Sequence, residues 1–255
     1  MIRAITVLVY LFLFLPILVT IALAFNASEF GGFPFTAFSL RWFRVLFTND
    51  RLLTSLLNSS ILALSSAAIS TLFGLLASLA IVRYRLKGSA LFSAMLLLPV
   101  LIPEVVIAVG LLLLVFMLGL RMNFAILLVG HVIITLPYVA LLVQSNIVGL
   151  KMSLEEAALS LGARPISVFR RITLPLLLPS IGASFLLSAT ISFDNITATL
   201  FWRPGGFETL PTQIYSMLRN SVTPELNAIA TIMILVTALV PVVVAGIINM
   251  SKREN

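Results

Sequence analysis

The 255-residue sequence contains no cysteine and a single histidine, His131. The first absence excludes disulfide scaffolds, thiolate metal sites and cysteine nucleophiles. The second excludes a multi-histidine metal site within this chain. Charge is scarce as well: Asp, Glu, Lys and Arg make up 10% of the residues, against about 25% in a soluble domain. Apolar residues make up 60%, and the mean hydropathy is +1.17. That much apolar surface cannot be hidden in one globular core, because a domain of this size still presents a large exterior to water. A water-soluble enzyme, a disordered chain and a fibrous chain are thereby excluded. The composition is that of a polytopic membrane protein.

What the sequence does contain is a series of long apolar runs. A membrane-spanning helix needs about 20 mostly apolar residues. Six runs qualify, at roughly 5–25, 57–82, 91–118, 124–148, 178–200 and 226–249. The first could be confused with a secretory signal ending at Ala22-Leu23-Ala24. Its apolar stretch is longer than the roughly 7–15 residues of a signal core, so a retained helix is expected. No internal repeat and no low-complexity segment is visible, and a single membrane domain over 1–255 is expected.

The net charge is +7, but the Lys and Arg residues fall in small groups between the runs and form no basic block. In a membrane protein such a distribution reports topology rather than nucleic-acid binding. With both termini in the cytoplasm, the inner segments hold Arg3, Arg83, Arg85, Lys87, Lys151, Arg164, Arg170, Arg171, Lys252 and Arg253, ten of the sixteen basic residues. The outer segments are longer and hold the remaining six: Arg41, Arg44, Arg51, Arg121, Arg203 and Arg219. The bias favours both ends inside.

Three connections differ in character. Residues 26–56 combine Gly31-Gly32 and Pro34 with Phe33, Phe35, Phe38, Trp42 and Phe43, which reads as a loop followed by an interfacial helix with a belt of aromatics. Residues 201–225 are an outer loop punctuated by Pro204-Gly205-Gly206, Pro211 and Pro224. The inner segment 149–177 is instead patterned. Ser153 with Glu156 three residues on predicts a capping-box helix start. Leu154, Ala157, Ala158 and Leu161 then form an apolar stripe. Gly162 supplies a left-handed stop, and Pro165 suits the first turn of a second helix. That second helix carries Ile166, Phe169 and Ile172, has Arg170 and Arg171 near its end, and is expected to stop before Pro175. An amphipathic helix–turn–helix therefore faces the cytoplasm, and its stripe needs a partner. The membrane surface, other helices of this chain and another protein are all open.

Glu156-Ala157-Ala158, Gly162, Ile172 and Leu174-Pro175 match, at every position, the EAA loop of ABC importer permeases. Over nearly its whole length the chain also resembles the permeases of spermidine/putrescine-type importers. The similar stretches include Asn26-Ala27-Ser28, Arg83-Tyr84-Arg85, Ile191-Ser192-Phe193-Asp194-Asn195, Ile214-Tyr215-Ser216-Met217 and Pro224-Glu225-Leu226-Asn227-Ala228. The resemblance implies an all-α membrane protein with six transmembrane helices in the type I ABC importer permease fold, with cytoplasmic coupling helices. It implies that Glu156, Ala157, Ala158, Gly162, Arg170, Ile172, Leu174 and Pro175 couple the chain to an ATPase subunit. Two copies of that ATPase, a second permease chain and an extracytoplasmic binding protein would complete the machine, in the bacterial inner membrane. The chain has no G-x-x-x-x-G-K-[ST] loop, so it has no phosphate cradle of its own. ATP and Mg would be held by the partner, and this chain would be no enzyme and would carry no cofactor.

Ionisable groups inside spans are costly and are functional candidates. Glu104 follows Pro103 in the third run, and Asp194 lies in the fifth beside Asn195. Pro99 and Pro103 are expected to break or kink the third run. Carboxylates in a pathway suit an amine-bearing cation, because opposite charge offsets desolvation of the ammonium. In the polyamine permeases the Glu104 and Asp194 positions are also acidic, and a second acid often stands where this chain has Asn195. A secondary transporter using Glu104, His131 and Asp194 as a proton relay is the alternative, which leaves the EAA loop unexplained.

Overall fold

The structure is a computed structural model that describes residues 2–84, 86–220 and 223–253. Arg85, counted above among the inner basic residues, lies outside the described residues, as do the side chains of Lys252 and Arg253. Among the described residues the regular elements are helices, with one isolated antiparallel bridge between Asn26 and Phe38. The chain divides into two compact units, residues 1–59 with 207–239 and residues 60–206 with 240–255.

The first unit holds α1 (Ile2–Ala24), α2 (Arg41–Thr48), the start of α3 (Asp50–Ser78), α11 (Leu210–Asn220) and most of α12 (Glu225–Arg253). Its outer loop is organised by one buried side chain. Asn26 donates from Nδ2 to the carbonyls of Gly32 (2.9 Å) and Pro34 (3.2 Å) and accepts on Oδ1 from the Thr36 N–H (3.0 Å). Its own carbonyl accepts from the indole N–H of Trp42 at 2.8 Å. Trp42 thus joins a core with Ala24 and Ala228 and leaves the aromatic belt, whereas Phe33, Phe35 and Phe38 are exposed. Asn227 pins the same loop from α12 by donating to the Gly31 carbonyl at 2.8 Å.

The second unit holds the rest of α3 with a π-helical turn at Leu79–Arg83, then α4 (Ser89–Leu101), α5 (Glu104–Met117) and α6 (Phe124–Gly149). It continues through α7 (Met152–Ser160), α8 (Pro165–Val168), a second π-turn at Phe169–Thr173, α9 (Leu174–Phe193) and α10 (Thr197–Trp202). Small residues let α6 sit close to its neighbours, the usual device where lipid removes the hydrophobic drive between helices. A Cβ at Gly74 would come within 2.6 Å of Val139. Ser180, Ser184, Ser188 and Ser192, four residues apart and all buried, form one face of α9, which packs against α6. Leu79, Val139, Val143, Ile147 and Leu177 fill the apolar core between these helices.

Among the described residues four helices are long and apolar enough to cross a membrane: Ile5–Ala24, Asp50–Arg83, Phe124–Gly149 and Pro165–Phe193. The third apolar run is a helix pair, α4 and α5, bent by 105°. The bend follows from Pro103, which drives Ile102 into an extended conformation (φ −96°, ψ 133°). In the last run α12 contains a shorter apolar stretch, Glu225–Leu239.

Two local expectations are corrected. The helix beginning at Pro165 does not stop before Pro175 but runs on to Phe193. Proline in an α-helix clashes with the carbonyl four residues back. Here the π-turn widens the helix just ahead of it, with the Leu174 N–H reaching the Phe169 carbonyl, and the misfit is absorbed. The fifth apolar run, read as 178–200, accordingly breaks after Phe193. The capping box at Ser153 is also absent: α7 starts two residues earlier than that cap would set, with Lys151 at the N-cap and no side-chain cap.

Candidate functional site

Two places concentrate the candidate residues. The first is the segment around α7. Gly162 closes α7 at φ +83°, and two bonds complete the turn: Gly162 N–H to the Leu159 carbonyl (2.9 Å) and Ala163 N–H to the Ala158 carbonyl (3.0 Å). This pair is a Schellman stop, which needs a residue tolerant of the left-handed region. Pro165 then opens α8 at its first turn. Glu156, Ala157, Gly162, Arg170 and Pro175 are exposed, while Ala158, Ile172 and Leu174 are half-buried. The apolar stripe stays uncovered, with Leu161 89% and Ile166 71% exposed and Leu154 also open. Other helices of this chain are therefore not the partner of the stripe among the described residues. Sequence reasoning passed over Glu155, Arg83 and Thr173. Glu155 turns inward to an ion pair with Arg83 and accepts from the Thr173 hydroxyl at 2.8 Å. Two adjacent acids on a helix point about 100° apart, which was the available signal that one of them faces inward.

The second place is a polar knot where two spans break. Glu104 sits in the first turn of α5, where free N–H groups and the helix dipole favour a carboxylate. Its Oε1 accepts from the Asn195 amide (2.5 Å) and from the Ala198 N–H (3.2 Å). Asn195 in turn accepts from the Thr199 N–H on Oδ1 (3.1 Å) and from the Thr199 hydroxyl on its carbonyl (2.8 Å). His131, 1% exposed, places Nε2 3.1 Å from the Thr199 hydroxyl and Nδ1 2.8 Å from that of Ser192. Since Thr199 spends its single proton on Asn195, this arrangement suits a neutral ring with its proton on Nε2. Trp202 closes the knot by donating to the Ala108 carbonyl at 2.8 Å, and its ring occupies the space where a Cβ on Gly130 would go.

Glu104 and Asn195 are thus brought together, and Asp194 is not part of the knot. It caps α9 through its backbone, its side chain is exposed, and none of the described hydrogen bonds or ion pairs engages its carboxylate. His131 is a satisfied packing residue. Thr199 and Trp202 were missed because nothing near them in sequence announces partners 68 and 94 residues away. Among the described residues no group of three or more His, Asp or Glu could hold a metal ion.

Comparisons with known proteins identify the family. The family described as "Binding-protein-dependent transport system inner membrane component" matches residues 70–254, a span that contains both places. The spermidine/putrescine transport system permease protein PotC of Escherichia coli K12 is 38% identical over 246 residues, covering 96% of this chain and 92% of that protein. The putrescine transport system permease protein PotI of the same strain is 32% identical over 232 residues, covering 88% and 82%. A solved bacterial ABC transporter involved in import of the acidic polysaccharide alginate superposes with a TM-score of 0.74 at 19% identity, covering 96% and 94%, a likeness of fold. This chain belongs to the binding-protein-dependent transport system inner membrane components, the permease subunits of ABC importers.

Proposed function

We propose that the chain forms, with a second permease chain, the translocation path for a polyamine or a related amine-bearing cation. Two copies of an ATPase subunit holding ATP and Mg drive the cycle, and an extracytoplasmic binding protein delivers the solute. Both termini lie in the cytoplasm, and residues 1–255 act as one membrane domain. The relatives named for polyamine transport support the cation. So does Asp194, an exposed carboxylate at a helix break, next in sequence to the Asn195 that bonds Glu104.

The observation that carries the coupling role is the uncovered stripe of α7 and α8 on a helix stop built at Gly162. Leu154, Leu161 and Ile166 would bury a few hundred Å² against an ATPase groove, and each buried Å² contributes about 25 cal/mol before ordering costs. Two such contacts, one from each permease chain, hold the assembly better than either alone. Glu156, Ala157, Ala158, Arg170, Ile172, Leu174 and Pro175 frame this face.

The test is direct. Gly162→Asp and Glu156→Lys are expected to leave the chain in the membrane and to abolish ATP hydrolysis stimulated by the loaded binding protein. Normal transport in both variants would remove the coupling role. Orientation is read from single cysteines in this cysteine-free chain: an impermeant thiol reagent added outside should label position 205 and spare 160.

A further inference from the structure

We propose that Glu155, the acid immediately before the motif, is the positioning residue that locks α7 to the ends of two spanning helices. A displacement of α7 then reaches both helices as one body. The inference rests on the docking reading above and concerns the opposite side of the same helix. Glu156 is exposed, whereas the side chain of Glu155 is only 12% exposed. One carboxylate oxygen pairs with Arg83, and the other accepts from the Thr173 hydroxyl at 2.8 Å. The remaining terminal nitrogen of Arg83 lies 2.9 Å from the sulfur of Met152, on α7 itself.

Both partners of Glu155 stand at special points in the backbone. Arg83 is the last residue of the π-turn that closes α3, and Thr173 is the last residue of the π-turn that leads into α9. Single π-turns recur at functional sites, and here the two of them end on partners of one carboxylate. Apolar packing offers no substitute, because α7 has no fully buried residue. Small open cavities of about 130 and 170 Å³, both lined by Arg83 and Glu155, flank the ion pair. The pair also differs from Arg41–Glu29, whose side chains are 55% and 71% exposed and which contributes little. With Arg83 18% exposed, removal of either partner leaves a largely desolvated charge uncompensated. The polar tie is what holds α7 to α3 and α9.

The experiment uses the whole transporter in proteoliposomes, with labelled putrescine as the probe and ATP hydrolysis followed in the same vesicles. Glu155→Gln and Arg83→Gln are each expected to retain the ATPase subunit while putrescine moved per ATP falls about tenfold. The double variant should be no worse than the lower single, because one tie is broken in all three. Thr173→Val removes one hydrogen bond without stranding a charge and should lower the ratio about threefold, which supplies the answer if Glu155→Gln does not accumulate. A merely structural role would lower the amount of complex and leave the ratio alone. A wild-type ratio in Glu155→Gln or in Thr173→Val, or losses that multiply in the double variant, overturns the proposal. Gly162→Asp in the same assay separates the two readings. If it uncouples while Glu155→Gln does not, the tie alone is wrong; if it couples normally, the docking reading fails.

Discussion

The segment around α7 and the polar knot at the two span breaks both end in glycine and carboxylate chemistry, but they are built in opposite ways. On the outward face of α7 every defining feature is local. Gly162 bonds back within five residues, Pro165 starts its own helix, and the stripe lies open to whatever docks on it. In the knot, Glu104 meets Asn195 across 91 residues of chain, and His131 meets Thr199 across 68. The difference teaches that a surface meant for another subunit can be specified by short-range rules, because its partner lies outside the chain. A buried polar group in a membrane has no such freedom, since each donor and acceptor must be satisfied inside the protein.

Substitutions at matched residues sharpen this contrast. Gly130→Leu should have the largest effect, because the Trp202 ring already fills the space beside Gly130. Overpacking there is expected to cost about 1–3 kcal/mol or more, read as a lower melting temperature and poor accumulation of the purified complex. Next comes Glu104→Ala, which leaves the Asn195 amide without its acceptor and should cost about 1–3 kcal/mol in the same assay. Gly162→Ala meets no atom within 4 Å, so only the left-handed backbone is strained, at about 1 kcal/mol, and melting should shift slightly. The smallest effect on stability belongs to Asp194→Asn, within about 0.5 kcal/mol, since no described partner holds that carboxylate. Its signature should be lower cation transport in an intact complex. If Asp194→Asn destabilises the complex as much as Glu104→Ala, Asp194 belongs to the knot. If Gly162→Ala melts the complex as strongly as Gly130→Leu, the contrast between local and assembled sites collapses.

The apolar runs were legible because a 60% apolar chain leaves few alternatives to helices in lipid, and their approximate positions recur in the structure. The ends of those runs were less legible. Pro103 did break the third run, and the extended Ile102 before it shows the expected mechanism. Pro175 failed to end the second cytoplasmic helix, because a π-turn can widen a helix where the surrounding packing favours it, and nothing in Phe169-Arg170-Arg171-Ile172-Thr173 announces one. The capping box misled for a related reason. Ser153 and Glu156 satisfy the pattern, but α7 starts two residues earlier, with Lys151 at its N-cap, and the neighbouring Glu155 is the acid that turns inward.

Residue order alone was enough for the membrane class, the glycine stop at Gly162, the proline start at Pro165 and the apolar stripe on either side of that turn, because each depends on a few adjacent residues and their backbone preferences. Three further features were decided only by the folded packing of α3, α5, α6, α9 and α10. These are the inward turn of Glu155 rather than Glu156, the capture of Glu104 by Asn195, and the exclusion of Asp194 from that capture. Each is a choice between chemically equivalent groups, two glutamates in one case and two carboxylates in the other. Local propensity does not distinguish such groups; distance, desolvation and the nearest available donor do.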